Sequence, residues 1–237
     1  MYRAIRFLDR LTDYALILFF LLLFVIGGYT MYDTVLIYDA AGGEDLRSFK
    51  PLQTAADGEE GIVWDMSALS EDVVAWLTVD DTNIDYPVMQ GIDNSEYLNK
   101  DPFGAFSLAG SIFLDSRNAD DFTDAYSLIY GHHMEYGRMF GALDEFLDET
   151  YFDAHRTGTL TVADQTYMIR FFACVEADAT VKEIFSPTET DGTLAYVLEH
   201  AAILREHDDG PLIALSTCKF PQTMDRIIVF GVLCDEE

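Results

Sequence analysis

From Tyr14 to Tyr32 the sequence YALILFFLLLFVIGGYTMY contains no charged residue. As a helix rising 1.5 Å per residue it reaches about 28 Å, close to the ~30 Å hydrocarbon core of a bilayer. The run predicts a transmembrane helix over 14–32, behind a short N-terminal segment, 1–13. A cleaved signal peptide shares the plan of basic residues before an apolar run. Against it, the run is long for that role, and the following TMYDTVLIYDAAGG offers a poor small-residue cleavage site. Arg3, Arg6 and Arg10 precede the run, whereas Asp33, Asp39, Glu44 and Asp45 follow it. That bias puts the N-terminus in the cytoplasm and everything after the helix outside the cell.

The chain has 237 residues, half of them hydrophobic, enough for one ordinary core beyond the apolar run. Its net charge is −28, and the arginines of the N-terminal segment leave the rest more acidic still. Such a body is repelled by nucleic acid and by anionic head groups, so nucleic acid is excluded as a partner. Acidity of this kind keeps an exported domain soluble and does not by itself define a substrate. Three cysteines cannot all pair within one chain. Cys174, inside FFACV, and Cys234, in the last apolar run, read as small buried hydrophobes. Cys218 differs: in LSTCKFPQTMDR it stands where an apolar run gives way to a loop.

Residues 33–60, with Gly42-Gly43 and the acidic DGEEG, suit an extracellular stalk, leaving 61–237 as the folded domain. In WDMSALSEDVVAWL the residues Leu69, Val73, Trp76 and Leu77 share a helical face, with Ser70 as N-cap, which predicts a short amphipathic helix. Strand signals dominate thereafter: WLTV, IDYPVMQ, GSIFLD, YSLIYG, GTLTVA, QTYMIRFFACVEA, PLIALSTC and RIIVFGVLC. These β-branched and aromatic runs are separated by Gly, Asp and Asn, which predicts a mainly antiparallel sheet or barrel. Between Thr190 and His207 the spacing of Leu194, Val197, Leu198, Ala201 and Leu204 predicts one inserted helix, with Glu189 and Asp191 at its start.

Several groups carry potential chemistry. In Tyr130-Gly131-His132-His133-Met134 a histidine follows a strand and a glycine, a place at a sheet rim where imidazole can exchange protons near neutrality. Adjacent side chains on extended backbone point to opposite faces, so His132 and His133 are a poor metal pair. No zinc or EF-hand motif is present, and Asp80-Asp81 and Asp120-Asp121 read as solvated surface charge. No cofactor is implied. A thiol leaving a buried strand can be both held and reached, and Cys218 as thiolate would be a nucleophile if a neighbouring cation lowered its pKa. His132 can transfer protons. Arg226 stays charged, so its part would be to hold a developing oxyanion.

WLTVDDTNIDYPVMQG, the YLN of SEYLNKD, GSIFLDSRN, IYGHHM, MFGALDEF, LSTC and the arginine of RIIVFGVL occur in an order that resembles the class B sortases, over about residues 64–233. The resemblance implies a mainly β fold: a closed sortase barrel of about eight strands with added helices, preceded by one transmembrane helix. It implies a cysteine transpeptidase on the outer face of a Gram-positive-type membrane, with His132, Cys218 and Arg226 catalytic and His133 only a neighbour. Ser216 and Thr217 would help shape the oxyanion region or substrate groove, and the insertion from Ser186 to His207 would help hold the sorting motif. Cys218 would attack the threonine carbonyl of a sorting motif near a surface protein's C-terminus, and a peptidoglycan amine or a pilin lysine would resolve the thioester. The Pro221-Gln222-Thr223 triplet resembles part of such a motif. It lacks the apolar tail and basic residues of a sorted protein, and the anchor stands at the opposite end. Two readings from other classes remain: an inactive surface-binding module and a hydrolase that releases peptide to water.

Overall fold

The structure, a computed structural model, describes residues 2–41, 46–56, 59–163, 165–188, 190–218 and 224–235. Gly42-Gly43, the Asp57-Gly58 start of DGEEG, Glu189 and the Pro221-Gln222-Thr223 triplet lie outside the described residues.

Two compact units are present, one ending at Asp39 and one running from Ala40 onward. The first holds all but the last residue of helix α1, Tyr2–Ala40, which extends well past both ends of the apolar run. Its flanks, rich in Arg, Leu, Ile and Ala, are good helix formers, so the backbone stays helical where the hydrophobicity stops. Ile5–Tyr38 is long and apolar enough to cross a membrane.

The second unit is a barrel. A hairpin of β1 (Leu52–Ala56) and β2 (Glu59–Val63) occupies part of the segment expected as a stalk. Beyond it come β3 (Val73–Val79), β4 (Asp85–Met89), β5 (Ile112–Leu114), β6 (Tyr126–Tyr130), β7 (Thr157–Val162), β8 (Gln165–Asp178), the short β9 (Ile203–Leu204), β10 (Leu212–Cys218) and β11 (Asp225–Asp235). The strands run β11-β10-β6-β5-β4-β3-β7-β8, and a further β11–β8 pairing closes eight of them into a ring with no free edge. β9 adds two residues to the side of β8. The sheet is mixed: β4–β5 and β6–β10 are parallel, the other ring pairs antiparallel.

The helix expected over Trp64–Leu77 does not form. Residues 64–72 are irregular chain with turns at 67–68 and 71–72, the Ser70 carbonyl accepts the Val73 amide, and Val73–Val79 is a barrel strand. Trp76 and Leu77 are both buried, one toward each face, so a strand covered on both sides gives a continuous apolar run that imitates a helical stripe over a short window. The inserted helix is also shorter than its periodicity. α4 spans Thr193–His200, while Ile203 leaves the helical path to pair with Cys174. Two short helices, α2 (Glu149–Ala154) and α3 (Lys182–Phe185), carry too few turns for a periodic signal.

The barrel interior is apolar and is capped by a 3-10 turn, Gly141–Leu147, and by α2, with Phe146 edge-on to Tyr151, Phe152 and Phe171. A second cluster, including Tyr126, Phe172, Phe230, Ile184 and Val197, packs α3 and α4 on the outer sheet face. The chain that enters the barrel is pinned to it. Asp85 accepts from Lys50 Nζ at 2.7 Å, Trp76 Nε1 at 2.8 Å and Thr78 Oγ1 at 2.9 Å, and Tyr86 donates its hydroxyl to Ala41 O at 2.9 Å. Cys174 is fully buried, as expected of a small hydrophobe, and Cys234 is partly so.

Candidate active site

Three strand ends meet at one end of the barrel. β10 lies between β6 and β11. On its antiparallel side Cys218 is the register partner of Arg226. On its parallel side Ser216 pairs with Tyr130, and the zipper continues one step further: Gly131 N donates to Ser216 O at 3.1 Å and Thr217 Oγ1 donates to Gly131 O at 3.0 Å. The Thr217–Gly131 bond spans 86 positions, the same offset that separates Cys218 from His132. The residue that follows Gly131 therefore comes level with the end of β10.

Gly131 makes this approach possible. A Cβ there would lie 2.5 Å from Ile112 Cδ1 and 2.7 Å from Phe140 Cδ2, inside the packed interior. The loop beyond it is fastened from below. Phe140 N donates to His132 O at 3.0 Å, His133 and Met139 form a bridge, and His133 Nε2 meets Asp144 Oδ2 at 2.7 Å. Gly141 has to be glycine for the same reason: a Cβ would collide with the Met134 carbonyl.

The two histidines have separate partners. His132 Nε2 lies 2.7 Å from Leu98 O. A carbonyl oxygen only accepts, so this bond places a proton on Nε2 and leaves Nδ1 outside it.

An open groove of about 320 Å³ runs past these residues, lined by His132, Ser216, Thr217 and Arg226 together with Asn94, Leu98, Tyr130 and Phe185. Of the residues predicted from sequence, these first four therefore share one groove, and Cys218 ends the strand that carries two of them. Ser216 and Thr217 differ in availability. Thr217 spends its hydroxyl on Gly131 O, whereas Ser216 Oγ is buried and has no hydrogen-bond partner among the described residues. Phe185, the last residue of α3, lines the groove one residue before the expected insertion, and among the described residues of 186–207 none lines it.

Other groove residues escaped individual assignment, although YLN and GSIFLDSRN contain or adjoin them. Asp115 is fully buried beneath the groove wall. Burial pushes its carboxyl up, but hydrogen bonds from the Arg117 side chain and backbone, Asn94 and Tyr130 outweigh this and hold it below the usual carboxylate range. The signal available was a charged DSR immediately after a strand buried throughout, a composition that demands internal pairing.

The sortase domain family model matches residues 77–234, spanning β3 to the final strand. This chain belongs to the sortase family. Within it, the chain is 41% identical to the Sortase B of Listeria monocytogenes over 178 residues, covering 71% of this chain and 72% of the relative. Among solved structures, a Streptococcus pyogenes class B sortase involved in pilus biogenesis is 40% identical with a TM-score of 0.66, covering 72% of this chain and 96% of that one. A sortase B from the type II pilus of Streptococcus pneumoniae is 35% identical with a TM-score of 0.59, covering 70% and 94%. The sortase is thus of class B, and members of its family are cysteine transpeptidases. Its closed eight-stranded barrel and added helices agree with the fold implied by the motifs.

Proposed function

We propose that this chain is a membrane-anchored transpeptidase in which Cys218 is the nucleophile, His132 the general acid and base, and Arg226 the oxyanion partner. The reading is carried by the meeting of three strand ends: Cys218 opposite Arg226, and His132 one residue beyond the point where β6 is zipped to β10.

The Cys218 thiolate attacks the carbonyl carbon of the threonine in a sorting motif. The carbonyl electrons move to oxygen, where the forked guanidinium of Arg226 neutralises them. The C–N bond then breaks, and the imidazolium of His132 gives its proton to the departing amine, leaving a thioester. An incoming amine passes a proton to His132 as it attacks the thioester. The C–S bond breaks, an amide forms, and the thiolate is restored. Leu98 O holds the imidazole ring through this cycle.

In this reading α1 anchors the sortase with its N-terminus in the cytoplasm, supported by Arg3, Arg6 and Arg10 before the apolar run. The domain then works at the outer face of the membrane, where a surface protein bearing a sorting signal and a peptidoglycan amine are both available. A second reading, with a pilin lysine as acceptor, is favoured by the two pilus-associated relatives at 40% and 35% identity.

The test is product partition. The full chain in detergent is given a library of C-terminal motif peptides with either an oligopeptide N-terminal amine or a lysine-bearing peptide as acceptor. Wall anchoring predicts transfer to the first, pilus assembly transfer to the second. Amine-insensitive release to water would mark a hydrolase, and no turnover of any motif would mark an inactive binding module.

A further inference from the structure

We propose that Asp115 and Arg117 form a clamp that sets the spacing between the walls of the groove, and are positioning residues for the peptide it binds. The functional half of this inference rests on the transpeptidase reading; the structural half does not.

Asp115 follows β5 directly and is fully buried. Its Oδ1 accepts from Arg117 Nε at 2.8 Å and Arg117 N at 3.0 Å. Its Oδ2 accepts from Arg117 Nη2 at 2.7 Å, Asn94 Nδ2 at 2.8 Å and Tyr130 Oη at 3.0 Å. Arg117 Nη2 also donates to Phe185 O at 2.8 Å. Asn94 completes the link by accepting the Ser116 amide at 2.8 Å.

Three of these partners, Asn94, Tyr130 and Phe185, line the groove, and they come from three distant parts of the chain. Their bonds to the pair span 21, 15 and 68 positions. A bridge serving only local stability would have no reason to reach the β4–β5 connection, the β6 strand and α3 at once. Every lone pair of the buried carboxylate is engaged, so Asn94 and Tyr130 cannot move without stranding part of a charge in the interior, while Phe185 is tied to the same pair through the half-exposed Arg117 guanidinium. The groove walls therefore hold one spacing. Arginine suits this place because its planar fork can satisfy both carboxylate oxygens and a carbonyl together, which the single ammonium of lysine cannot.

The experiment compares the full chain in detergent with its Arg117→Gln and Arg117→Lys variants by two readouts. The first is amide exchange without peptide. Loss of the clamp predicts faster exchange in both 92–98 and 182–187 together, with β10 and β11 unchanged. The second is kinetics with a cleavable motif peptide, alongside labelling of Cys218 by a small methanethiosulfonate. The expected result for Arg117→Gln is a KM rise on the order of tenfold, with kcat and the labelling rate nearly unchanged and partial recovery in Arg117→Lys. Should Arg117→Gln fail to fold, Tyr130→Phe removes one donor and predicts a smaller KM rise in the same direction. Unchanged exchange in either wall, an unchanged KM, or a parallel fall of kcat and labelling overturns the proposal. If the wild type cleaves no motif, the transpeptidase reading fails, and the exchange experiment still decides whether the clamp exists.

Discussion

Cys218, the last residue of β10, lies directly opposite Arg226, the second residue of β11, in the antiparallel ladder. Opposed residues are the nearest neighbours that two strands offer, so the chain places a thiol-bearing and a guanidinium-bearing residue together through backbone register alone. If Arg226 holds the oxyanion, Arg226→Lys keeps the charge but loses the fork. We expect kcat to fall by about 10² to 10³ with a much smaller change in KM. Steady-state kinetics with a motif peptide checks this, and an effect confined to KM would move Arg226 to peptide binding.

His132 and His133 predict different outcomes although they are adjacent. His132 faces the groove and bonds Leu98 O, whereas His133 fastens the loop to Asp144. His132→Ala is expected to abolish turnover. His133→Gln should keep a hydrogen bond to Asp144 and cost less than about tenfold in kcat/KM, in line with lost positioning rather than lost proton transfer. Equal losses from the two substitutions would contradict this division.

Gly141→Ala tests the floor of that loop. The added methyl would meet the Met134 carbonyl, backbone that cannot rotate away, so the loop carrying His132 must shift. The variant is expected to lower Tm and to lose activity beyond what its stability predicts, measured by calorimetry and by turnover well below Tm. Wild-type activity in a folded variant would show that the loop tolerates the shift.

Asp85 makes the stability depend on acid. Burial raises its pKa, but the Lys50, Trp76 and Thr78 hydrogen bonds prevail and hold it below its ordinary value. A depressed folded pKa contributes stability above the unfolded value of about 3.9, and that contribution is lost as pH falls through the folded one. The Tm advantage of the wild type over Asp85→Asn should therefore stay constant from pH 7 to about 5 and shrink only below about pH 4. An advantage that disappears between pH 7 and 5 would assign it to another group.

Cys174 should be inert. It is fully buried, and burial, with the nearby Glu176 and Asp144 carboxylates, pushes its thiol up to about 12. A thiol reagent should modify it only on unfolding, and mass spectrometry of labelled peptides distinguishes it from Cys218.

The barrel was legible strand by strand because runs such as YSLIY and RIIVFGVL combine β-branched and aromatic residues between turn formers. The closure was less so: the parallel β4–β5 and β6–β10 pairings depend on contacts distant in sequence, which no local pattern encodes. Trp64–Leu77 misled because a strand buried on both faces has no alternation to display. At the groove, His132, Ser216, Thr217 and Arg226 could be named from motif order, and the folded chain brings them together. Asp115, Arg117 and Tyr130 could not, since their importance arises only when Asn94 and Tyr130 converge on the Asp115 carboxylate and Phe185 on its partner Arg117.

Intact-protein mass spectrometry of the full chain, quenched in acid during turnover of a motif peptide, tests the central claim most directly. The account predicts an acyl adduct on Cys218 that equals the peptide up to its threonine, disappears faster when an amine is added, and is absent from Cys218→Ala. Turnover of the same peptide by Cys218→Ala, or turnover by the wild type with the acyl group found on a different residue, would contradict it.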